Sequence, residues 1–216
     1  MKLYSFYRST ASFRVRIALN LKAVPYSIAP VNLLAEPGEQ FSSAYRRLNP
    51  QSLLPTLVDD GVVLTQSTAI CEYLEEKFPA PPLLPKATSQ RARVRALVGA
   101  LAADIHPLHA LRVTRDLGAR FGAQAAEKGE WSAHWMTEGL DSIEAILAGS
   151  SETGRYCQGD AITLADVFLI PQVFSAKAVG VPVDHLTHIA AITTRCLQHP
   201  AFIAALPANQ ATTMAV

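Results

Sequence analysis

The sequence predicts a mixed α/β domain followed by an all-α domain. Residues 1–85 alternate between strand-like and helix-like stretches. Four prolines, Pro79, Pro81, Pro82 and Pro85, then interrupt any helix and mark a linker. Beyond that linker only helical periodicity recurs, with no strand pattern and no turn punctuation.

Each element of the first part has its own warrant. Lys2–Tyr7 is β-rich. Phe13–Lys22 carries Val15, Ile17, Ala18, Leu19 and Leu21, dense enough for a buried helix, with Ser12 as its expected cap. Tyr26–Val31 is a second strand, and Phe41–Leu48 a short helix or turn ending at Asn49-Pro50. Thr56–Val58 and Val62–Thr65 flank Asp59-Asp60-Gly61, and Asp-Gly between apolar runs signals a hairpin. Ser67–Phe78 reads as a helix capped by Ser67, with Ile70, Cys71, Tyr73 and Leu74 on its apolar side. The order β-α-β-α-β-β-α fits a small mixed sheet covered by helices. After the linker, Ser89 opens a run with Val94, Leu97, Val98, Leu101 and Ile105 that Pro107 should end or kink. Further helices are expected over 109–121, 130–148, 163–178 and 186–197, and a disordered tail over Pro207–Val216. The expected domains are 1–80 and 89–216, joined by a linker over 81–88.

Half of the 216 residues are hydrophobic and 17% are charged, so there is ample material for a core. A net charge of +1 without a clustered basic face argues against nucleic acid as a partner. No apolar run is long enough to span a membrane. The strand-like start does not read as a signal peptide, and a cytoplasmic location is expected. Cys71, Cys157 and Cys196 are odd in number and far apart, which predicts buried, reduced thiols and no metal site.

Several segments carry potential chemistry. Ser9, Thr10 and Ser12 precede an apolar helix, where outward N–H groups favour negative charge. Their hydroxyls either cap that helix or donate to a thiolate and lower its pKa. Pro55, in Leu53-Leu54-Pro55-Thr56-Leu57, stands just before a strand. It is either an ordinary strand entry or a cis peptide that offers Leu54 backbone groups to an extended ligand. Gln66-Ser67 opens a helix and either caps it or receives a carboxylate. Thr163-Leu164-Ala165-Asp166 has capping-box spacing with Asp in the acidic position, and reads as a folding device.

Taken in order, these segments resemble the cytosolic glutathione transferases. Tyr4–Leu19, with its core Ser9-Thr10-Ala11-Ser12-Phe13-Arg14-Val15-Arg16, resembles the zeta-class signature. That class includes the maleylacetoacetate and maleylpyruvate isomerases. Asn49-Pro50-Gln51, Leu54-Pro55-Thr56-Leu57, Gln66–Ile70 and Pro81–Pro85 match as well. The resemblance implies a thioredoxin-like first domain, a homodimer, and glutathione as cofactor. It places Ser9, with Thr10 in reserve, at the thiol. Ser12, Gln51, Leu54 and Pro55 would contact glutathione, and Gln66 and Ser67 would hold its γ-glutamyl end. The class pattern Ser-Ser-Cys is here Ser9-Thr10-Ala11, so the family cysteine is absent and glutathione must bring the sulfur.

A small acidic substrate calls for cations, and an Arg fork grips a carboxylate through two parallel hydrogen bonds. Arg8 flanks Ser9, and Arg112 closes a stretch, Asp104–Arg112, that resembles the region around the maleylpyruvate isomerase substrate arginine. His106 and His109 are either glutathione contacts or ordinary helix histidines, and Lys177 is a weaker second cation. Arg14 and Arg16 read as structural. The implied reaction is reversible thiolate addition to the cis double bond of an enone diacid, with an arginine stabilising the enolate charge. The alternatives are a transferase or dehalogenase acting on small electrophiles, and a non-catalytic binding module.

Overall fold

Four short strands form one sheet in the order β2-β1-β3-β4. The structure, a computed structural model, describes residues 1–210. Strand β1 (Lys2–Ser5) runs parallel to β2 (Ser27–Pro30), with Leu3 opposite Ile28. It runs antiparallel to β3 (Thr56–Asp59), with Leu3 opposite Leu57. β3 turns into β4 (Val62–Thr65) through Asp60 and Gly61, whose φ values of 47° and 83° suit a tight hairpin. Helix α1 (Thr10–Leu21) is the crossover between the parallel strands. Helices α2 (Ser43–Leu48) and α3 (Ser67–Lys77) complete the arrangement.

All but one of the twelve residues of α1 are buried, so a polar face would have nowhere to go. This explains why the stretch from Val15 to Leu19 is apolar at every position but Arg16, itself buried. α1 starts three residues earlier than its apolar pattern suggests, and Ser9 rather than Ser12 is its cap. Ser12 lies inside the first turn, fully buried, with a hydroxyl that finds no partner among the described residues. Its backbone N–H donates to Ser9 Oγ at 3.2 Å, which settles which serine caps which. Similarly, Ser67 is the first helical residue of α3, and Gln66 holds the cap position without a side-chain cap bond.

Two buried polar contacts tie this unit together. Lys22, just past α1, donates to Glu75 of α3 and to the Pro81 carbonyl at 2.5 and 2.6 Å. Asp59, buried at the end of β3, accepts from Lys77 and from the Tyr73 hydroxyl at 2.5 and 2.6 Å. The Lys77 and Tyr73 bonds hold the Asp59 carboxyl below its ordinary value of 3.8, against the opposing effect of burial. A depressed carboxyl pKa contributes stability at neutral pH that is lost as pH falls through the folded value. Urea midpoints measured from about pH 6 down to about pH 2 should therefore fall less steeply for Lys77→Met than for the wild type.

The described residues divide into two units, Met1–Pro82 with residues 198–210, and Leu83–Leu197. The second expected domain, 89–216, is thus corrected at its end. The cause lies in α1, where Arg16 Nε and Asn20 Nδ2, one turn apart, donate to the carbonyls of Ala205 and Ala201 at 3.1 and 3.0 Å. These carbonyls belong to α9 (Pro200–Ala205), a helix too short for its periodicity to be read from sequence. Of the segment Pro207–Val216, expected to be a disordered tail, Pro207–Asn209 forms a 3₁₀ turn. Gln210 is buried and donates to the Ala204 carbonyl at 2.7 Å, and the remainder lies outside the described residues.

The helical unit contains α4 (Thr88–Gly99), α5 (Leu111–Phe121), α6 (Ala125–Ala148), α7 (Leu164–Ala178) and α8 (Thr187–Cys196). α4 continues as a π-helical segment, Ala100–Ile105, and Pro107 lies in a 3₁₀ turn, His106–His109. The π segment lies so close to α6 that a Cβ on Gly139 would sit 2.4 Å from Ile105. α6 begins five residues before the predicted start because a Gln124–Glu127 capping box initiates it. α8 lacks a cap of its own, and Glu144 of α6 accepts from His188 N and Ile189 N at 2.9 and 3.0 Å instead. Asp166 anchors α7, as its capping-box spacing predicts, through bonds from Thr163 N and from Cys157 N. Among the described residues no helix is long and apolar enough to cross a membrane.

Candidate active site

The turn from β1 into α1 places a hydroxyl at a helix N-terminus. Ser9 N–H closes the turn onto the Phe6 carbonyl at 3.0 Å, and Ser9 takes an extended conformation at φ −67° and ψ 117°. The residue is half-buried, and its Oγ accepts from Ser12 N, a bond that leaves the hydroxyl proton unused. The same helix end carries the positive pole of the α1 dipole, which favours an anion there. Thr10 is buried at 8% exposure and Arg8 is exposed. Ser12, expected among the ligand-contacting residues, has its side chain fully enclosed.

The peptide Leu54–Pro55 is cis. Leu54 is half-exposed and precedes the sheet ladder, which begins at Thr56, while Pro55 is buried. A buried polar group braces this segment. The Leu53 carbonyl accepts from Tyr45 Oη and Asn49 Nδ2 at 2.7 and 2.8 Å, and Tyr45 Oη also meets Thr56 Oγ1 at 2.9 Å. Burial pushes the Tyr45 phenol up, so it stays a neutral hydrogen-bonding group. Asn49 Oδ1 accepts from Gln51 N at 3.1 Å, which links the brace to the next candidate.

Gln51 and Gln66 come together although fifteen residues separate them, with Gln66 Nε2 donating to Gln51 Oε1 at 2.8 Å. Gln66 adopts φ 67° and ψ 118°, a sparsely populated conformation for a residue with a side chain. Such conformations persist where the surroundings over-determine them, commonly at ligand sites. Beside it Ser67 is buried, and its Oγ accepts from Arg14 Nη1 at 3.2 Å. Two exposed amides, a hydroxyl and the N-terminus of α3 thus lie together, a donor set suited to a carboxylate.

In the helical unit, His106 and His109 share the 3₁₀ turn, their rings edge to face at 5.3 Å. Buried Gln172 of α7 reaches His109, with Nε2 at 2.9 Å from the His109 ring Nε2, so that ring is oriented by its own unit. Arg112 is exposed in the first turn of α5, and Lys177 in the last turn of α7.

No cysteine of the chain is accessible. Cys71, Cys157 and Cys196 are 0–1% exposed, and burial pushes the Cys71 thiol up to about 12. Burial raises Cys157 and Cys196 as well. A buried neutral thiol is inert, so any sulfur nucleophile at this site must come with a ligand.

Residues 3–82 match the family model described as glutathione S-transferase, N-terminal domain. The chain is 44% identical to maleylacetoacetate isomerase of Pseudomonas aeruginosa over 216 residues, covering all of both chains. It is similar, with a TM-score of 0.93 and 44% identity over 97% of this chain and 98% of the other, to the holo structure of a bacterial zeta-class maleylpyruvate isomerase. A maleylacetoacetate isomerase structure from Methylobacterium extorquens AM1, with malonate and glutathione bound, gives a TM-score of 0.94 at 37% identity, covering 97% of this chain and 98% of that one.

Proposed function

The chain belongs to the zeta-class glutathione transferase and maleylacetoacetate isomerase family, and from that premise we propose that it isomerises a small maleyl diacid from cis to trans with glutathione as cofactor. The observation that carries this reading is the hydroxyl of half-buried Ser9 at the start of α1, whose oxygen accepts from Ser12 N and whose proton is not used in that bond. Glutathione supplies the sulfur nucleophile whose reversible addition allows the double bond to turn.

The chain's own residues do the rest. Ser9 donates to the sulfur and holds it as thiolate, with Thr10 as the neighbouring hydroxyl. Gln51, Leu54 and Pro55 orient the cofactor in front of β3, where the Leu54 backbone precedes the sheet ladder. Gln66 and Ser67 receive the γ-glutamyl carboxylate at the α3 N-terminus. Arg8 and Arg112 bind substrate carboxylates and stabilise the oxygen on which charge develops. His106 and His109 are further glutathione contacts. The reading also makes the protein a cytoplasmic homodimer.

The test is an ultraviolet assay of maleylpyruvate and maleylacetoacetate, each with and without glutathione. Turnover that requires glutathione but leaves its concentration unchanged is expected. Steady consumption of glutathione would identify a transferase instead. Arg8→Ala and Arg112→Ala should each lower kcat/KM about ten- to a hundredfold, the cost of a lost charge-assisted bond, while glutathione affinity is retained. Unchanged kinetics in both variants would remove the arginines from the mechanism.

A further inference from the structure

We propose that Arg14 is a positioning residue for the carboxylate site: buried behind the first turn of α3, it donates to Ser67 Oγ and thereby aims the Ser67 proton, and its own charge, at an anionic ligand group. This rests on the reading of Gln66 and Ser67 as the γ-glutamyl carboxylate site.

The argument is one of hydrogen-bond polarity. A guanidinium has only donors, so in the 3.2 Å contact between Arg14 Nη1 and Ser67 Oγ the serine oxygen must accept. The serine proton is then forced to point elsewhere. Ser67 is itself 6% exposed and follows Gln66, whose positive φ turns the chain so that Gln66 and Gln51 join amides beside it. The donors left for a ligand are therefore the Ser67 hydroxyl, the Gln66 amide and the first N–H groups of α3.

The charge adds to this. Arg14 is 1% exposed, and burial draws its pKa down from 12.5 to about 10, still well above neutrality. Its neighbour Cys71 stays neutral, because burial raises that thiol. The cation therefore reinforces the α3 dipole on the side where an anion would sit. Arg16, two residues on, offers a contrast. Its three bonds go to the Ala205 carbonyl, Ser5 Oγ and the Tyr7 carbonyl, all scaffold groups.

The experiment compares glutathione with its 4-aminobutyryl analogue, which lacks only the γ-glutamyl carboxylate. Calorimetry at neutral pH should show the wild type preferring glutathione about tenfold or more, the worth of a charged hydrogen bond. Arg14→Gln should collapse that preference by weakening glutathione and sparing the analogue, and Arg14→Lys should restore much of it. In a Ser67→Ala background, Arg14→Gln should change the preference less than it does in the wild type, because only the contribution of the charge is then left to lose. Equal weakening of both ligands by Arg14→Gln overturns the proposal, because a merely structural arginine would act on both alike. A wild type that binds both ligands equally removes the carboxylate site itself. Should Arg14→Gln not fold, the guanidinium nitrogen resonances of wild-type Arg14 decide. They should shift with glutathione and not with the analogue, and identical responses overturn the proposal.

Discussion

Ser9→Ala lowers isomerase kcat about a hundred- to a thousandfold, the range for removing one donor aimed at a developing or resident anion. The geometry explains why the loss falls on the thiolate. The Ser9 oxygen already accepts from Ser12 N, and in the function proposed above its single proton is the group that donates to the sulfur. Without it the cofactor thiol keeps a higher pKa and fewer molecules carry thiolate at neutral pH. The acid limb of the pH–rate profile should move to higher pH, and glutathione affinity should change far less than kcat. Losing the cap also costs about 1 kcal/mol, read separately as a lower melting temperature. Thr10→Ala, at a mostly enclosed position, should leave the rate within a few-fold of the wild type. A Ser9→Ala enzyme with full kcat and an unmoved pH profile would exclude Ser9 as the activator.

Asp166→Ala destabilises the protein by about 3–5 kcal/mol. The carboxylate is fully buried and accepts from Cys157 N, Thr163 N and Thr163 Oγ1 at 2.9, 2.8 and 3.0 Å. Its removal strands two buried backbone donors, each costing about 1–3 kcal/mol, and opens the start of α7. α7 is the most enclosed helix of its unit, buried from Leu164 through Val173, so a frayed first turn cannot simply be hydrated. The melting temperature should fall by roughly 8–15 °C, since 1 kcal/mol shifts a chain of this size by about 2–4 °C. Asp166→Asn keeps one acceptor oxygen and should lose less. A melting temperature within about 2 °C of the wild type for Asp166→Ala would show that the box is dispensable. Neither substitution should alter turnover per folded molecule.

These two residues show how differently a sequence exposes its content. The Thr163–Asp166 box was legible because its partners lie three residues apart, and a local spacing carries the whole bond. Ser9 was legible only as one of three hydroxyls before a helix. Which of them caps depends on where the helix begins, and burial along α1 pulled that start back to Thr10, enclosing Ser12. Glu144 carried no signal at all, since it caps a helix forty-four residues away.

The turn of Asp60-Gly61, the proline breaks of residues 79–85, the alternation of elements and the capping of α7 are dictated by nearest neighbours along the chain, and the sequence by itself determined them. The candidate site residues Ser9, Gln51, Gln66 and Ser67 stand in motifs that the sequence alone displays. Tertiary structure alone decided that Gln51 meets Gln66, that Arg14 lies behind Ser67, and that Arg16 reaches Ala205 to draw α9 into the first unit. Those partners are 15, 53 and 189 residues apart, so no local spacing announces them. The exposed amides of Gln51 and Gln66 meet because the fold brings their two turns together, and the buried Arg14 and Arg16 take the acceptors that the fold presents to them.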